Sequence, residues 1–598
     1  MTRVESAFTK IDLIDPAQRA DIDKFREQLA RYHSGEVSEE VFRVFRLTNG
    51  IYGQRQGGTN HMVRVKVPYG SITPEQLEMM AFLVDAYSRG WAHITTRQNL
   101  QFHFVQLDDI PEVLEQLASV GLTTREACGD TVRNVQGCHL AGACPLEHLD
   151  ISPWAEAAYQ HFVRNPIGQR LPRKFKINFS GCDTDCGQAM FNDAGVIATT
   201  RERADGTVEK GFRVYIAGGL GATPHPALAL EEFTSREELL PTIEAILRVF
   251  DQAGNRDNKL RARMKWLVDT LGIDEVRRRV FGTRKFLLAS ASWPGGIPAE
   301  VALDGDDPAG TTPGGGSVSL IGQGTAVKLL GNSVYERWLA ANVVRGAANG
   351  SISAYATAEL GDITATQFRA LARVQADLDA SVRLTNRQNL IFRDLTEDDL
   401  PILFDQLSEI DMASPGAELA RDVVACPGAD TCNLAVTQSR GLAKAITERL
   451  EQEGLAEVGG IRINISGCTN SCGQHHASDI GFFGAERRTG GLSAPGYQLL
   501  LGGYVGQDQM HFGQKVLRLP AKNVPEAAVR VIRRYAEERH PAENLHDWLG
   551  RVGGPEHLAA ELEDLDRYPT FRDDPSYYTD YGETELYTAT IGDSECAT

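Results

Sequence analysis

Apolar and polar positions alternate along this chain in two registers, and the switch between them marks its elements. In HMVRVKVP (61–68), Val63, Val65 and Val67 share one face and Arg64 and Lys66 the other, which predicts a strand with one wet side. After Thr73 the apolar positions move to helical spacing at Leu77, Met80 and Leu83, behind a TPEQ start in which Thr caps and Pro fills the first turn. RKFKINFSG and GIRINISG read as short strands running straight into cysteine-bearing loops. NLAVTQSRGLAKAITERLEQEG (433–454), immediately after Cys432, has the period of an amphipathic helix. Helix and strand therefore alternate throughout, an α+β chain.

The pattern occurs twice. ITTRQNLQFHF from Ile94 matches LTNRQNLIFRD from Leu384, which sets Arg97 opposite Arg387. GSITPEQLEMMAFLVDAY from Gly70 matches GDITATQFRALARVQADL from Gly361, and FRVYIAGGLG from Phe212 resembles YQLLLGGYVG from Tyr497. The offset drifts from about 291 to about 284 residues, so this is a duplicated domain pair rather than a solenoid of about 20–50-residue repeats. Between the copies, DGDDPAGTTPGGGSVSLIGQG (within 303–324) reads as a linker; Gly322 and Gly324 lack the third glycine and the βαβ setting of a dinucleotide loop.

The cysteines sharpen this duplication. Cys138 and Cys144 in GCHLAGAC precede Cys182 and Cys186 in INFSGCDTDCGQ; Cys426 and Cys432 in ACPGADTC precede Cys468 and Cys472 in INISGCTNSCGQ. Each half spells C-x5-C, a gap, then C-x3-C, and chance burial would not repeat both spacings. Disulfides fit poorly with a polar N-terminus that has no secretory signal, which points to a reducing cytoplasm. Structural zinc prefers C-x2-C to C-x4-C pairs, which the x5 spacing does not supply. Iron–sulfur ligation is the reading left for at least one tetrad. Ser and Gly ahead of the first cysteine of each C-x3-C let the backbone turn so that its N–H groups can face a cluster.

Length and composition change the picture little. The chain has 598 residues, long enough for about four domains, with 42% apolar and 24% charged residues and no apolar run long enough to span a membrane. Its net charge of −19 argues against a general role on nucleic acid and makes any basic cluster stand out. Such a cluster exists: Arg97, Arg133 and Arg173-Lys174-Phe175-Lys176 all lie beside first-half motifs. Strand periodicity puts Lys174 and Lys176 on one face, where they could bind an anion beside a redox centre. The second half is read as carrying Arg462 and Asn464 at the matching positions, a divergence in charge that leaves the cysteines intact.

TTRQNLQFH, TVRNVQGC, LPRKFK and the C-x5-C…GCTNSCGQ set together resemble the sirohaem-dependent sulfite and nitrite reductase family, over about residues 45 to 550. The resemblance implies two ferredoxin-like half-domains (46–125 and 331–412) and two α/β sirohaem/Fe–S domains (126–290 and 413–555) related by pseudo-twofold symmetry. An N-terminal arm (1–45), the linker (291–330) and an acidic, tyrosine-rich tail (556–598) packed over the surface complete the chain, with Cys596 a free thiol. It also implies a [4Fe–4S] cluster on Cys426, Cys432, Cys468 and Cys472, with Cys472 bridging to the sirohaem iron. Arg97, Arg133, Lys174 and Lys176 would line the oxyanion site, and Arg64, Lys66 and Arg387 would anchor the sirohaem carboxylates.

The implied reaction is the six-electron reduction of sulfite to sulfide, or of nitrite to ammonia. Sulfite is favoured because nitrite reductases of the family commonly have Asn in place of Lys176. In the familiar single-chain members only the second half keeps four cysteines. Here Cys138, Cys144, Cys182 and Cys186 form either a second cluster or a vestigial set of thiols. With no flavin or nicotinamide fingerprint, the electrons must come from a ferredoxin or a flavoprotein reductase, for which EVRRRVFGTRK (275–285) is a candidate basic docking patch. A non-catalytic electron-transfer protein is the reading from a different class, and the four first-half cations argue against it.

Overall fold

A computed structural model describes residues 14–290, 333–346, 350–489, 491–506, 509–541, 543–589, 591–592 and 595. The linker and Cys596 lie outside these. The helix expected after Thr73 runs from Pro74 to Tyr87 and starts with a complete capping box, in which Thr73 and Gln76 exchange side-chain and backbone hydrogen bonds. Its repeat mate, Ala365–Asp377, opens on the same box between Thr364 and Gln367.

Each of these helices covers a five-stranded antiparallel sheet. In the first, Ile51–Gly53, Asn60–Val65, Leu100–Gln106 and Trp91–Ile94 lie side by side, and the last place is taken by Asp362–Thr364 from the second half. In the second, Val343–Val344, Ile352–Ala356, Leu390–Leu395 and Ser381–Leu384 are completed by Ser71–Ile72 from the first half. The registers mirror each other: Ile363 faces Ala92 and Ile72 faces Val382. The two ferredoxin-like half-domains thus exchange an edge strand and share one apolar core, which includes Val63, Leu77, Ile94, Phe368 and Leu384.

The two larger α/β domains keep separate cores and repeat one topology. In the first, Gln136–Gly137, Ile177–Ser180 and Ala194–Glu202 run parallel, then Val208–Ile216 and Leu228–Thr234 turn back antiparallel. Val424–Ala425, Ile463–Ser466, Ile480–Thr489, Leu492–Leu501 and Gln514–Pro520 do the same in the second. Both C-x3-C loops leave the end of the middle parallel strand, where the peptide groups run out and the chain turns toward the other half. Among the described residues no helix is long and apolar enough to cross a membrane.

Three expectations need correction. Lys66 does not face water: it is 2% exposed and ion-paired with buried Glu126 at 3.2 Å. The helix after Cys432 starts only at Ser439. Residues 433–438 instead form a loop tied to the cysteine strands, with the Val436 N–H on Gly467 O at 2.7 Å. The segment past Pro555 is more than a surface tail. Leu558, Leu562 and Leu565 belong to the second α/β core, and Asp580, 4% exposed, accepts from the Gln438 N–H at 2.9 Å.

Candidate active site

The two TRQN loops carry each half into the other. Gln98 and Gln388 both take a left-handed backbone, with φ of 53° and 68°. That conformation turns their amides across the interface: Gln98 donates to Gly137 O and Leu384 O, Gln388 to Ala425 O and Ile94 O, all at 2.9–3.0 Å. Beside them, Thr96 Oγ1 donates to Cys472 O at 2.9 Å, and Asn386 Nδ2 donates to Cys186 O at 2.5 Å. Gln188 and Gln474, each two residues after the last cysteine of its tetrad, meet at 2.7 Å. The molecule therefore holds two related sites, each built from the cysteines of one half and the arginine loop of the other.

The cysteine loops are constructed alike. Gly187 and Gly473 donate to Ser180 Oγ and Ser466 Oγ, and a Cβ at either glycine would stand about 2 Å from a backbone carbonyl, 1.9 Å from Phe179 O and 2.1 Å from Ile465 O. In the second half, burial and then the neighbouring thiols, Cys472 among them, raise the thiol pKa of Cys426, Cys432 and Cys468; Cys426 is pushed up to about 12. The Gly467 N–H donates to Cys426 Sγ at 3.2 Å, and Leu434 and Asn470 N–H groups serve Cys432 and Cys468. Arg55 of the first half reaches Cys432 O and Ala435 O. Cys472 is the exposed member of this tetrad and belongs to the loop that touches Thr96. Among the described residues no three His, Cys, Asp or Glu side chains could hold a single metal ion. Tetrahedral zinc would need thiolates about 3.8 Å apart.

Opposite Cys472 stands the first-half cation cluster. The Arg97 guanidinium rests on Asn178 Oδ1, Asn192 Oδ1 and Asn134 O, and its Nε has no hydrogen-bond acceptor. No carboxylate among the described residues lies within ion-pairing distance of it. Burial, reinforced by Arg133, pushes its pKa down to about 9. Arg133 is held on the carbonyls of Ala127 and Gly129. Lys174 and Lys176, both half-buried, flank buried Phe175, as the alternation predicted. Burial and the charges of Arg97, Arg263 and Lys174 hold the Lys176 ammonium far below the usual lysine range. Asp193, the nearest acid, is occupied by Arg263 at 2.8 Å and by the Lys176 backbone N–H at 3.0 Å. Arg64 lies in the same neighbourhood, donating to Ala127 O and Cys128 Sγ.

The mate of this cluster differs in charge and in register. Lys176 N–H bonds Asp193 as Arg462 N–H bonds Asp479, and Asn178 Nδ2 bonds Gly187 O as Asn464 Nδ2 bonds Gly473 O. Arg462 therefore corresponds to Lys176, and Asn464 to Asn178, two residues away from the correspondence read in the sequence. Arg387 is buried between Glu418 and Asp422 at 3.2 and 3.3 Å, and their charges hold its pKa above the usual value despite burial. Asp422 occupies the repeat position of Asn134. Arg421, the mate of Arg133, pairs with Glu451. A small cavity of about 50 Å³, open to solvent, lies beside Cys186 and is lined by Arg387, Arg462, Asn464 and Gln474 among others.

The expected anchors thus separate. Arg64 sits with the cations, whereas Lys66 and Arg387 already satisfy carboxylates of the protein. The basic run 275–285 is also spent internally: Arg277 pairs with Asp274, Arg278 and Arg279 with Glu275, and Arg284 with Glu231. Thr96, Asn134, Asn178 and Arg263 escaped the sequence reading; Asn134 and Asn178 lie inside quoted motifs and were legible as repeat positions.

Comparison with known proteins agrees with this layout. The family model described as nitrite and sulphite reductase 4Fe-4S domain matches residues 128–285 and 416–567. The one described as nitrite/sulfite reductase ferredoxin-like half domain matches 52–120 and 346–410. An assimilatory ferredoxin-dependent nitrite reductase of Haloferax mediterranei is 30% identical over 576 residues, covering 93% of each chain. A sulfite reductase [ferredoxin] of Mycolicibacterium paratuberculosis is 27% identical, over 84% of this chain and 87% of its own. The solved structure of the Mycobacterium tuberculosis NirA protein superposes with a TM-score of 0.73 at 26% identity, over 90% of this chain and 95% of that one.

Proposed function

This chain belongs to the nitrite and sulphite reductase family, and from that premise we propose that it reduces sulfite to sulfide at the site between Cys472 and Arg97. Enzymes of this family carry sirohaem and a [4Fe–4S] cluster, and the residues fit both groups. Cys426, Cys432, Cys468 and Cys472 form a converging set of thiols served by backbone N–H groups. They would hold the cluster, and Cys472, exposed and on the loop that touches Thr96, is the ligand on the side where the sirohaem would bind. When bound, the coupled pair supplies electrons one at a time. Arg64 would meet the carboxylates of the macrocycle.

The observation that carries the reading is that no carboxylate among the described residues lies within ion-pairing distance of Arg97, in a half-buried cluster that also contains Arg133, Lys174 and Lys176. A desolvated guanidinium such as that of Arg97, with no carboxylate in ion-pairing distance, is costly, and an oxyanion offsets that cost. One opposite charge at about 4 Å contributes about 4 kcal/mol at an effective dielectric of 20. Arg97 and Arg133 are fixed by carbonyl and amide oxygens and serve as anion-orienting charges. Lys176 has an acidified ammonium, so it releases a proton readily once the anion has drawn it into the charged form. It is the group best placed to protonate departing oxygen.

Lys176 also carries the preference for sulfite over nitrite, since the family's nitrite reductases commonly have Asn there. Lys176→Asn is expected to move the ratio of sulfite to nitrite turnover at least about tenfold toward nitrite; an unchanged ratio would remove the basis for preferring sulfite. The donor is a ferredoxin-class protein, as the names of the relatives state for themselves.

A further inference from the structure

The geometry points to a second [4Fe–4S] cluster, held by Cys138, Cys144, Cys182 and Cys186 of the first half. Three observations carry it. The four thiols converge: the Cys138 N–H is bonded to Phe179 O at 2.9 Å, which sets the two cysteine loops side by side, and Cys138, Cys144 and Cys186 pack in one cluster with Cys182 in electrostatic reach. Cys138, Cys144 and Cys182 are buried. Loops that had lost a ligand role would be free to drift apart or fill with apolar side chains.

The sulfur environment is the second observation. Leu146 N–H serves Cys144 as Leu434 N–H serves Cys432, and Thr184 N–H serves Cys182 as Asn470 N–H serves Cys468. N–H groups aimed at sulfur two residues back stabilise thiolate and cluster sulfur; a thiol or disulfide gains far less from them. Both tetrads therefore carry the same donor frame.

The third observation is charge. Arg383 and Arg393 enter from the second half, each 5% exposed, and donate to Cys138 O at 3.2 Å and Ala141 O at 2.6 Å. Neither has a carboxylate within ion-pairing distance among the described residues, and Arg393 Nε has no acceptor. Asp150 lies in electrostatic reach of Arg383 but in ion-pair contact with neither, and two buried guanidinium groups with so little direct compensation are expensive. A four-thiolate cluster, with a net charge of about −2, balances both. Arg55 performs the corresponding service over the second-half loop. Arg387 on this side is already neutralised by Glu418 and Asp422, which leaves Arg462 as the cation lining the cavity beside Cys186. Held there, the cluster would supply one-electron redox chemistry beside the contact between Gln188 and Gln474 that joins the two cysteine loops.

The inference rests on the family reading only for the kind of cluster, and its test separates the two. Full-length chain is purified without oxygen from a host that makes sirohaem. Iron, acid-labile sulfide and sirohaem are counted, with sulfide decisive because sirohaem contributes none. About eight sulfides per chain are expected, with about nine irons when one sirohaem is bound. A Cys144→Ser/Cys182→Ser variant should lose about four of each while retaining sirohaem and its absorption spectrum. About four sulfides in the wild-type chain, or disulfides found by mass spectrometry of the unreduced protein, would overturn the inference whether or not the variant folds. Eight sulfides without sirohaem would support the second cluster and overturn the proposed reaction instead.

Discussion

Arg97 and Arg387 occupy the same position in two copies of one loop, yet they meet opposite surroundings. Arg387 lies between Glu418 and Asp422. Arg97 lies among amide and carbonyl oxygens, with further cations beyond them. The difference traces to few side chains. Asp422 stands where the first half has Asn134, and Asp130, the mate of Glu418, is drawn off by Arg173 and Lys259. At an effective dielectric of 20 each carboxylate is worth about 4 kcal/mol to a cation at 4 Å. One half therefore completes its charge balance on folding, and the other, on the function proposed here, completes it on binding an anion. Duplication preserved the frame, and the placement of a few acids decided which copy can bind.

The largest expected effect tests that asymmetry directly. Lys176→Met or Arg97→Met should lower kcat/KM for sulfite by about 100- to 1000-fold. The same change at Arg462 or Arg387 should alter it by less than about threefold per loaded chain. Equal losses on both sides, in steady-state assays normalised to sirohaem, would break the comparison. Next, Asn134→Asp installs beside Arg97 the acid that Arg387 already has. It should reduce kcat/KM at least about tenfold, mainly through KM, because it competes with the substrate's charge.

Stability should respond in the opposite sense. Arg387→Leu strands two buried carboxylates and is expected to cost about 3 kcal/mol in urea unfolding, whereas Arg97→Leu should cost about 1 kcal/mol. A reversed order would mean that the fold depends on the charge assigned here to binding. The smallest effect concerns pH. Because burial and neighbouring cations lower the Lys176 pKa, its charge is present below that pKa and lost as pH rises through it. The kcat/KM for sulfite in the wild type should fall with rising pH before the ordinary lysine range, and Lys176→Arg should move the fall upward.

Much of this was legible in the chain. The cysteine spacings and TRQN loops are dense in chemistry, and they stand where the fold brings the halves together. The wet-face reading of Lys66 failed because alternation reports which face a residue takes and not what covers that face; Glu126 covers it. The correspondence of Asn464 with Lys176 failed for want of a register, which the backbone bonds of Asp193 and Asp479 provide. The helix expected at 433 starts at Ser439 because the intervening residues spend their backbone groups on the cysteine loop. The exchanged strands carry no usable signal: Ser71–Ile72 and Asp362–Thr364 are too short for a period and are masked by the capping boxes that follow.

That exchange has a consequence for how the chain can be divided. Each sheet borrows its last strand from the other half, so a half produced alone would expose the flank of Trp91–Ile94 or Ser381–Leu384 and would tend to aggregate through it. Two halves severed between Ser290 and Ser333 but made together should instead find each other and behave as a stable heterodimer. The covalent join is then a convenience of synthesis, and the partnership itself is written into the hydrogen bonds of two short strands.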